Sequence, residues 1–342
     1  MSEQSTESPQ PPPSAQMLEF MYGSITTQAI RAAAKLRIAD IVASAPATAD
    51  ELAATAGADP TALSRLLKFL ASIGIFSQDM QGRFRQTPLS DTLRVDHPQS
   101  VRGAAIAFGS AYFWDAFAHL PEAVVTGRPA FDDAFGASFF DYLAAHPEHA
   151  ASFDAAMTSI SSTDLPAILA AYDFSSFERV VDVGGGHGAL LHGILSANPK
   201  LRGVLVDLPS VVAKAENLRS EAISPRCEVV GGDIFEAVPS GADGYLARAV
   251  IHDWNDDDAL KILKNCRAAI RPGGKLLLIE AVLKETNEPD PARLGDVWML
   301  ALTRGGKERT EAEFAALLRR AGFALTRVIP AEGYAIIESQ PV

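Results

Sequence analysis

The stretch Val180-Val-Asp-Val-Gly-Gly-Gly-His-Gly188 joins a run of β-branched residues to an acid and a cluster of glycines. It reads as a buried strand that breaks into a turn, where glycine lets the backbone bend sharply and come close to a ligand. Alone this is a weak signal, because dinucleotide enzymes also place glycine-rich turns between strand and helix. The acids around it carry more information. A second strand, Gly203-Val-Leu-Val-Asp207, ends on an acid 25 residues after Asp182, and a third ends at Gly232-Asp233, 26 residues further on. Three acids at the carboxyl ends of successive parallel strands line the edge at which open α/β sheets bind ligands. A dinucleotide would use the second acid for a ribose, but its phosphates make an acid inside the glycine turn unwelcome. S-adenosylmethionine lacks phosphate and carries an ammonium and a sulfonium, so the sequence predicts a methyl-donor site.

Positioning these residues requires a parallel sheet. From Phe177 onward short apolar strands alternate with helices, and strands are expected at 179–183, 203–207, 227–230, 244–248 and 275–280, with a hairpin at 324–330 and 334–339 closing the edge. Ahead of it, residues 100–175 read as helical and rich in aromatics. Residues 17–42 carry apolar side chains near helical spacing. Residues 48–76 give two short helices, with a capping box at Thr48-Ala-Asp-Glu51 and a cap and first-turn proline at Asp59-Pro60. A small hairpin follows around Gly74 and Gly82. Helix, helix, hairpin is a winged-helix outline, so a DNA-binding module has to be weighed. From Ala45 to Val95 there are five basic and five acidic residues, a poor footprint for DNA, and the module is expected to be an assembly surface.

Composition points the same way. The 342 residues suit two domains, 48% are hydrophobic, and the net charge is −12, which speaks against nucleic acid or an anionic membrane as partner. No apolar run approaches a membrane span. The polar, proline-rich stretch 1–16 is expected to be a disordered tail. Two cysteines, Cys227 and Cys266, sit in no metal or redox spacing, and the chain is expected in a reducing cytoplasm.

Five motifs in order make a resemblance: Asp-Val-Gly-Gly-Gly-His-Gly (182–188), Val-Asp-Leu-Pro (206–209), Gly-Gly-Asp-Ile-Phe (231–235), Ile-His-Asp-Trp (251–254) and Gly-Gly-Lys-Glu-Arg-Thr (305–310). From about residue 17 to its end the chain resembles the plant and bacterial small-molecule O-methyltransferases of the caffeic acid O-methyltransferase type. The resemblance implies an α/β fold: a Rossmann-like, doubly wound catalytic domain over 176–342. Before it come a helical linker and substrate-pocket region at 101–175 and an all-helical winged-helix-like dimerisation domain at 17–100. It implies S-adenosyl-L-methionine as cofactor without a metal, and a homodimer. Carried over by position, Gly184 approaches the methionine part, Asp207 bonds both ribose hydroxyls, Asp233 and Phe235 hold the adenine, and Leu208 and Ile234 flank them. Trp254 packs near the adenine. Met157 and Ser161 touch the methionine end, and Arg248 stands where the plant enzymes have a lysine.

His252 is the expected catalytic base, since a neutral phenol is a poor nucleophile and an imidazole of ordinary pKa near 6.5 accepts its proton at neutral pH. Glu280, at the end of the fifth strand, and Glu308 match the family's acids beside the histidine; they would orient the ring and stabilise the imidazolium. Asp253 is expected to be structural or a cofactor neighbour and not a second base. His146 and His149, bracketing Pro147-Glu148, are expected to be solvated. Acceptor contacts fall on Phe153, Met157, Met299 and Thr303, and the Met, Phe and Trp content suggests a flat aromatic substrate. The implied function is O-methylation of an aromatic hydroxyl. N-methylation of an aromatic heterocycle and a winged-helix regulator that binds S-adenosylmethionine are the alternatives.

Overall fold

The structure, a computed structural model, describes residues 11–342. Residues 1–10 of the expected tail lie outside the described residues. The chain divides after Ser110 into two compact units.

The first unit holds α1 (Pro13–Lys35), α2 (Ile38–Ser44), α3 (Ala49–Ala56), α4 (Pro60–Ser72), the hairpin β1 (Phe76–Gln78) and β2 (Phe84–Gln86), α5 (Pro88–Asp91) and α6 (Arg102–Phe108). α1 starts four residues earlier than expected, with Pro13 in its first turn, where the missing N–H leaves no bond unmade. The caps lie where the sequence put them. Thr48 accepts from Glu51 N while the Glu51 carboxylate accepts from Thr48 N at 2.7 Å, and Asp59 accepts from Ala62 N at 2.8 Å. Ile38, Leu52, Leu67, Leu70, Phe76 and Phe84 are sealed in the core. Along α1, Met17, Leu18, Phe20, Met21, Tyr22 and Ile25 stay exposed, Phe20 at 80%.

The second unit opens with α7 (Ala111–Ala118), α8 (Leu120–Thr126), α9 (Ala130–Phe135), α10 (Phe139–Ala145) and the long α11 (Pro147–Ala171). Next come β3 (Arg179–Val183), α12 (Ala189–Ala197), β4 (Arg202–Asp207), α13 (Pro209–Val212), β5 (Cys227–Gly231), β6 (Gly244–Arg248), α14 (Asp256–Ala269) and β7 (Lys275–Glu280). The chain ends with β8 (Val282–Leu283), α15 (Pro291–Leu302), β9 (Arg309–Thr310), α16 (Glu311–Arg320), β10 (Phe323–Ala331) and β11 (Tyr334–Pro341). Seven strands form one sheet in the order β10-β11-β7-β6-β3-β4-β5. β3 to β7 are parallel, and β11 and β10 are antiparallel. The five parallel strands and the closing hairpin match expectation. The parallel strands β3, β4, β6 and β7 are buried almost throughout, because elements cover both faces of such a sheet. β4 and β6 lie on opposite sides of β3, so the strand order reverses there, and a crevice opens beyond the carboxyl ends. The short parallel pair β8–β9 was not foreseen. Among the described residues no helix is long and apolar enough to cross a membrane.

One ionic cluster ties the hairpin edge to the end of α11. Buried Glu338 on β11 accepts from Tyr172 Oη (2.6 Å), Lys275 Nζ (2.9 Å), Arg327 and Thr326. Burial alone would raise its pKa, but those donors outweigh it and hold the carboxyl at about 2. A depressed value stabilises the fold above the ordinary carboxylate range, and the contribution disappears as pH falls through about 2. Glu338→Gln is therefore expected to lose roughly 2 kcal/mol at pH 7 and to flatten the acid limb of stability below pH 5. Urea titrations across pH check this, and equal acid limbs for both proteins would refute it.

Candidate active site

The glycine turn follows β3. Gly184, Gly186 and Gly188 have φ of +65°, +59° and +77°, in the left-handed region that glycine adopts freely. Gly185 is needed for space, since a Cβ there would lie 2.5 Å from the Asp182 carboxyl carbon. Asp182 is fully buried with no hydrogen-bond partner on either carboxyl oxygen. Burial pushes its pKa up to about 7 against the opposing charge of Arg248. Asp207, at the end of β4, accepts from Gly186 N (2.8 Å) and Leu208 N (2.7 Å). Burial raises its pKa and those two bonds oppose the rise. Leu208 itself is half exposed. Exposed Asp233 accepts from Phe235 N at 2.8 Å, and Phe235 meets Trp254 edge-on at 4.7 Å. Ile234 packs toward Gly184, 3.7 Å from where a Cβ would stand.

Arg248 ends β6 and joins this edge to α11, donating to the Ser161 hydroxyl and to Asp164 (3.1 Å). Met157 lies one turn before Ser161 on the same helix, and Phe153 one turn before that, edge-on to Phe139 at 5.1 Å. Of the remaining acceptor candidates, Met299 is buried in α15, and the Thr303 hydroxyl is buried and donates to the Met299 carbonyl (2.9 Å). The Thr303 hydroxyl proton is thus engaged by its own helix end. The expectation of solvated histidines at 146 and 149 also fails. His146 stacks on Tyr142 with ring centroids 3.9 Å apart, and His149 stacks on Tyr112 at 4.7 Å.

His252 sits in a single helical turn, Ile251–Asp253, just past β6. The chain reaches it through Ala249 at φ +51°, a strained conformation for a residue with a side chain. Fully buried Glu280 accepts from Val250 N (3.1 Å) and Ile251 N (2.7 Å) through one oxygen, while the other lies 3.5 Å from His252 Nδ1. Glu308, also buried, lies 3.1 Å from the same nitrogen. Asp253 is 3.6 Å from Nε2. Burial alone would lower the imidazole pKa, but the charges of Glu280, Asp253 and Glu308 outweigh it and carry it up to about 10. The expected value near 6.5 is overturned, because an imidazolium among three carboxylates is stabilised far more than one in water. Burial raises Glu280 to about 7 despite the opposing charge of His252.

Several residues that hold this group had been given no role. Arg309 is fully buried and clamps the histidine turn, donating to the carbonyls of Ile251 (3.0 Å) and Trp254 (2.8 Å) and to Asp256 (2.8 Å). Lys307 N donates to the His252 carbonyl at 2.8 Å. At Gly306 a Cβ would lie 2.6 Å from that carbonyl oxygen, and at Gly295 2.9 Å from Glu308 Oε1. Arg309 and Gly306 were visible as members of the last motif, but nothing in their spacing marked them as supports. The ligand atoms of His252, Glu280 and Glu308 lie within 4.8 Å of one another, close enough to hold a metal ion. Sequence spacing hid this set, since its members stand 28 residues apart and converge only through β7 and the loop before β9.

Comparison with known proteins adds the family. A family model described as the O-methyltransferase domain matches residues 117–324, and one described as the O-methyltransferase dimerisation domain matches 18–96. The chain is 43% identical over 333 residues to a phenazine O-methyltransferase of Lysobacter antibioticus, covering 97% of each. It is 36% identical to an 8-amino-8-demethylriboflavin N,N-dimethyltransferase of Streptomyces davaonensis, covering 99% of this chain and 98% of that one. Among solved structures, an O-methyltransferase from neocarzinostatin biosynthesis, crystallised with S-adenosylmethionine and 2-hydroxy-5-methyl naphthoic acid, is similar with a TM-score of 0.76. The identity is 36%, over 93% of this chain and 96% of that one.

The Arg309 clamp has a direct consequence. Arg309→Lys keeps the charge but not the planar fork, leaving buried carbonyls unmet, and should cost roughly 2–4 kcal/mol of stability. Chemical denaturation measures this, and a variant as stable as the parent would mean that the clamp does not hold the turn.

Proposed function

The chain belongs to the O-methyltransferase family, and from that premise we propose that it transfers a methyl group from S-adenosylmethionine to a hydroxyl of a flat aromatic molecule, with His252 taking the proton. The observation that carries this reading is the half-buried imidazole whose Nδ1 faces both Glu280 and Glu308, just past the end of β6. The crevice fits the cofactor's charge. Asp182 is buried without a hydrogen-bond partner, Asp207 is anchored by Gly186 N and Leu208 N, and among the described residues no basic side chain is hydrogen-bonded to either. Asp207 would hold the ribose, Asp233 and Phe235 the adenine, and Gly184, Met157, Ser161 and Arg248 the methionine end, with Leu208, Ile234 and Trp254 around them. When bound, S-adenosylmethionine supplies an electrophilic methyl carbon. Phe153, Met157 and Met299 would flank the acceptor ring.

His252 keeps Nδ1 toward the two glutamates and receives the acceptor proton at Nε2. The acceptor O–H bond would break and an O–CH3 bond form as the sulfonium–methyl bond breaks and the cofactor leaves as its neutral thioether, and the carboxylates would stabilise the imidazolium that results. A base near pKa 10 matches an ordinary phenol of pKa about 10, so the proton is shared at little cost once both are in contact. A base of this kind favours a hydroxyl over an amine, because an aromatic amine sheds its proton after methylation and needs no base beforehand. Orientation of the ring by its carboxylates accounts for the cluster, and no metal enters this reading. The exposed apolar stripe of α1, on a helix–helix–hairpin module of winged-helix-like order, is read as a homodimer surface. Nucleic acid, a membrane and a regulatory role have no part in it, and a cytoplasmic site suits two unpaired cysteines.

Mass spectrometry after incubation with methyl-labelled cofactor and a panel of phenols tests the assignment, the expected product carrying one labelled methyl on oxygen. Asp207→Ala should weaken cofactor binding by roughly 2–3 kcal/mol, the loss of charge-assisted bonds. Calorimetry giving parental affinity would remove the ribose assignment. His252→Ala should slow turnover roughly 10²–10⁴-fold with near-normal cofactor affinity. The raised pKa sets the pH dependence. Imidazolium and phenol each hold a proton at neutral pH and one must leave, so log kcat/KM should rise about one unit per pH unit between pH 7 and 9. A plateau already reached at pH 7 would contradict the assigned base.

A further inference from the structure

Asp154, Met157, Ser161 and Asp164 follow one another along α11 at steps of three, four and three residues, the spacing that keeps side chains on one helix face. Three of the four are tied to the sheet. Ser161 and Asp164 both accept from Arg248, the last residue of β6. Nearer the start of the helix, Asp154 Oδ2 accepts from Lys214 Nζ at 2.5 Å and faces His187 Nε2 at 3.6 Å. His187 belongs to the glycine turn after β3, and Lys214 follows α13 beyond β4. In the sheet these strands stand side by side in the order β6-β3-β4. The lengths agree: from Asp154 to Asp164 the helix rises about 15 Å, and two strand spacings take up about 10 Å. α11 is therefore fastened across the carboxyl ends of three adjacent strands, where the strand order reverses.

The two fastenings differ. The side chains of Arg248 and Asp164 are 10% and 20% exposed, and beyond them Leu165, Ile168 and Leu169 pack into the core, two of them against α12 at Gly193. Pro166 stands just past this anchor. It has no N–H to give the Ser162 carbonyl, which weakens the helix at that point. The other fastening is open to water, with the Lys214 side chain 49% exposed. Val212 and Ala215 are buried on either side of Lys214, so its backbone is anchored and its side chain alone reaches back to α11. Asp207 feels the charges of both His187 and Asp154, which sets this fastening beside the acid read as the ribose ligand. A solvated lysine–carboxylate pair adds little to stability and opens readily.

We propose that Asp154 and Lys214 are positioning residues for the cofactor: their ion pair latches the N-terminal part of α11 against the glycine turn, and bound cofactor leaves when the latch opens. That part of the helix then swings about the Arg248 anchor, and Met157, between the two fastenings, moves with it. The inference rests on the methyl-donor reading above and adds control of cofactor exchange to it.

Rapid filtration tests it, with the full chain loaded with tritiated S-adenosylhomocysteine or S-adenosylmethionine and chased with unlabelled ligand. Lys214→Met should speed release of both roughly threefold to fivefold, the upper end of what one exposed ion pair is worth. Loss of a positive charge alone would instead slow release of the cationic S-adenosylmethionine, so the sign separates a latch from a field effect. Lys214→Arg should restore the parental rate. Asp154→Asn should act at least as strongly as Lys214→Met. The double variant should release no faster than Asp154→Asn, because both changes cut one bond. Added salt should speed release from the parent and leave Lys214→Met unchanged. Parental or slower release in the single variants, effects that combine independently in the double variant, or equal salt acceleration in Lys214→Met overturn the inference while leaving methyl transfer standing. Failure of the parent to retain either ligand removes the methyl-donor reading, and this inference with it.

Discussion

The arrangement of the second unit depends on seating one imidazole with its Nδ1 against two buried carboxylates. Charges removed from water cost several kcal/mol each unless they are paired and hydrogen-bonded, so His252, Glu280 and Glu308 must arrive together or not at all. Glu280 arrives because β7 lies beside β6, with Ile279 opposite Arg248, and it repays its own burial by accepting the N–H groups of Val250 and Ile251. Glu308 arrives on the loop between α15 and β9, which comes close enough only because residues 295 and 306 lack side chains. Arg309, next in sequence, turns the same loop into a clamp on the carbonyls of the histidine turn. The strained Ala249 at the end of β6 is tolerable in this setting, because bonds on both sides over-determine the backbone.

The opposite wall of the crevice works by charge of one sign. Asp182 and Asp207 stand at the ends of adjacent strands, and the glycine turn leaves no room for a side chain at 185. Burial raises the pKa of both, Asp182 to about 7; Asp207 accepts from Gly186 N and Leu208 N, whereas both oxygens of Asp182 lack a hydrogen-bond partner. Arg248 lies between this edge and α11, but its guanidinium is committed to Ser161 and Asp164. It serves as a link between layers more than as a counter-charge.

Between the two walls runs a chain of rings. Phe235 meets Trp254, Trp254 meets Phe140, Phe140 meets Phe139, and Phe139 meets Phe153. Stacked and edge-on ring pairs are rigid and apolar, a surface suited to a flat aromatic ring.

The sequence by itself determined the sheet, the caps and the glycine turn. These were legible because each depends on neighbours within a few residues: parallel strands buried on both faces read as unbroken apolar runs, the Thr48 and Asp59 caps close over three residues, and the glycine turn needs its own φ values. The three candidate positions, His252, Glu280 and Glu308, were recognisable only through the family resemblance, and what they do to one another was decided by the tertiary structure. His252, Glu280 and Glu308 are 28 residues apart in turn, so no periodicity connects them, and the imidazole pKa depends on charges that only the fold assembles. Arg309 could not be read as buried, because a charged side chain enters a core only when distant carbonyls meet it. β8 and β9, two residues each, are too short to carry a pattern. His149 and Thr303 sat in polar-looking contexts, and only packing decided that one joins an aromatic wall while the other bonds its own helix. Local conformation is written in adjacent residues, whereas burial, pairing and proton affinity depend on contacts that the chain makes after it has folded.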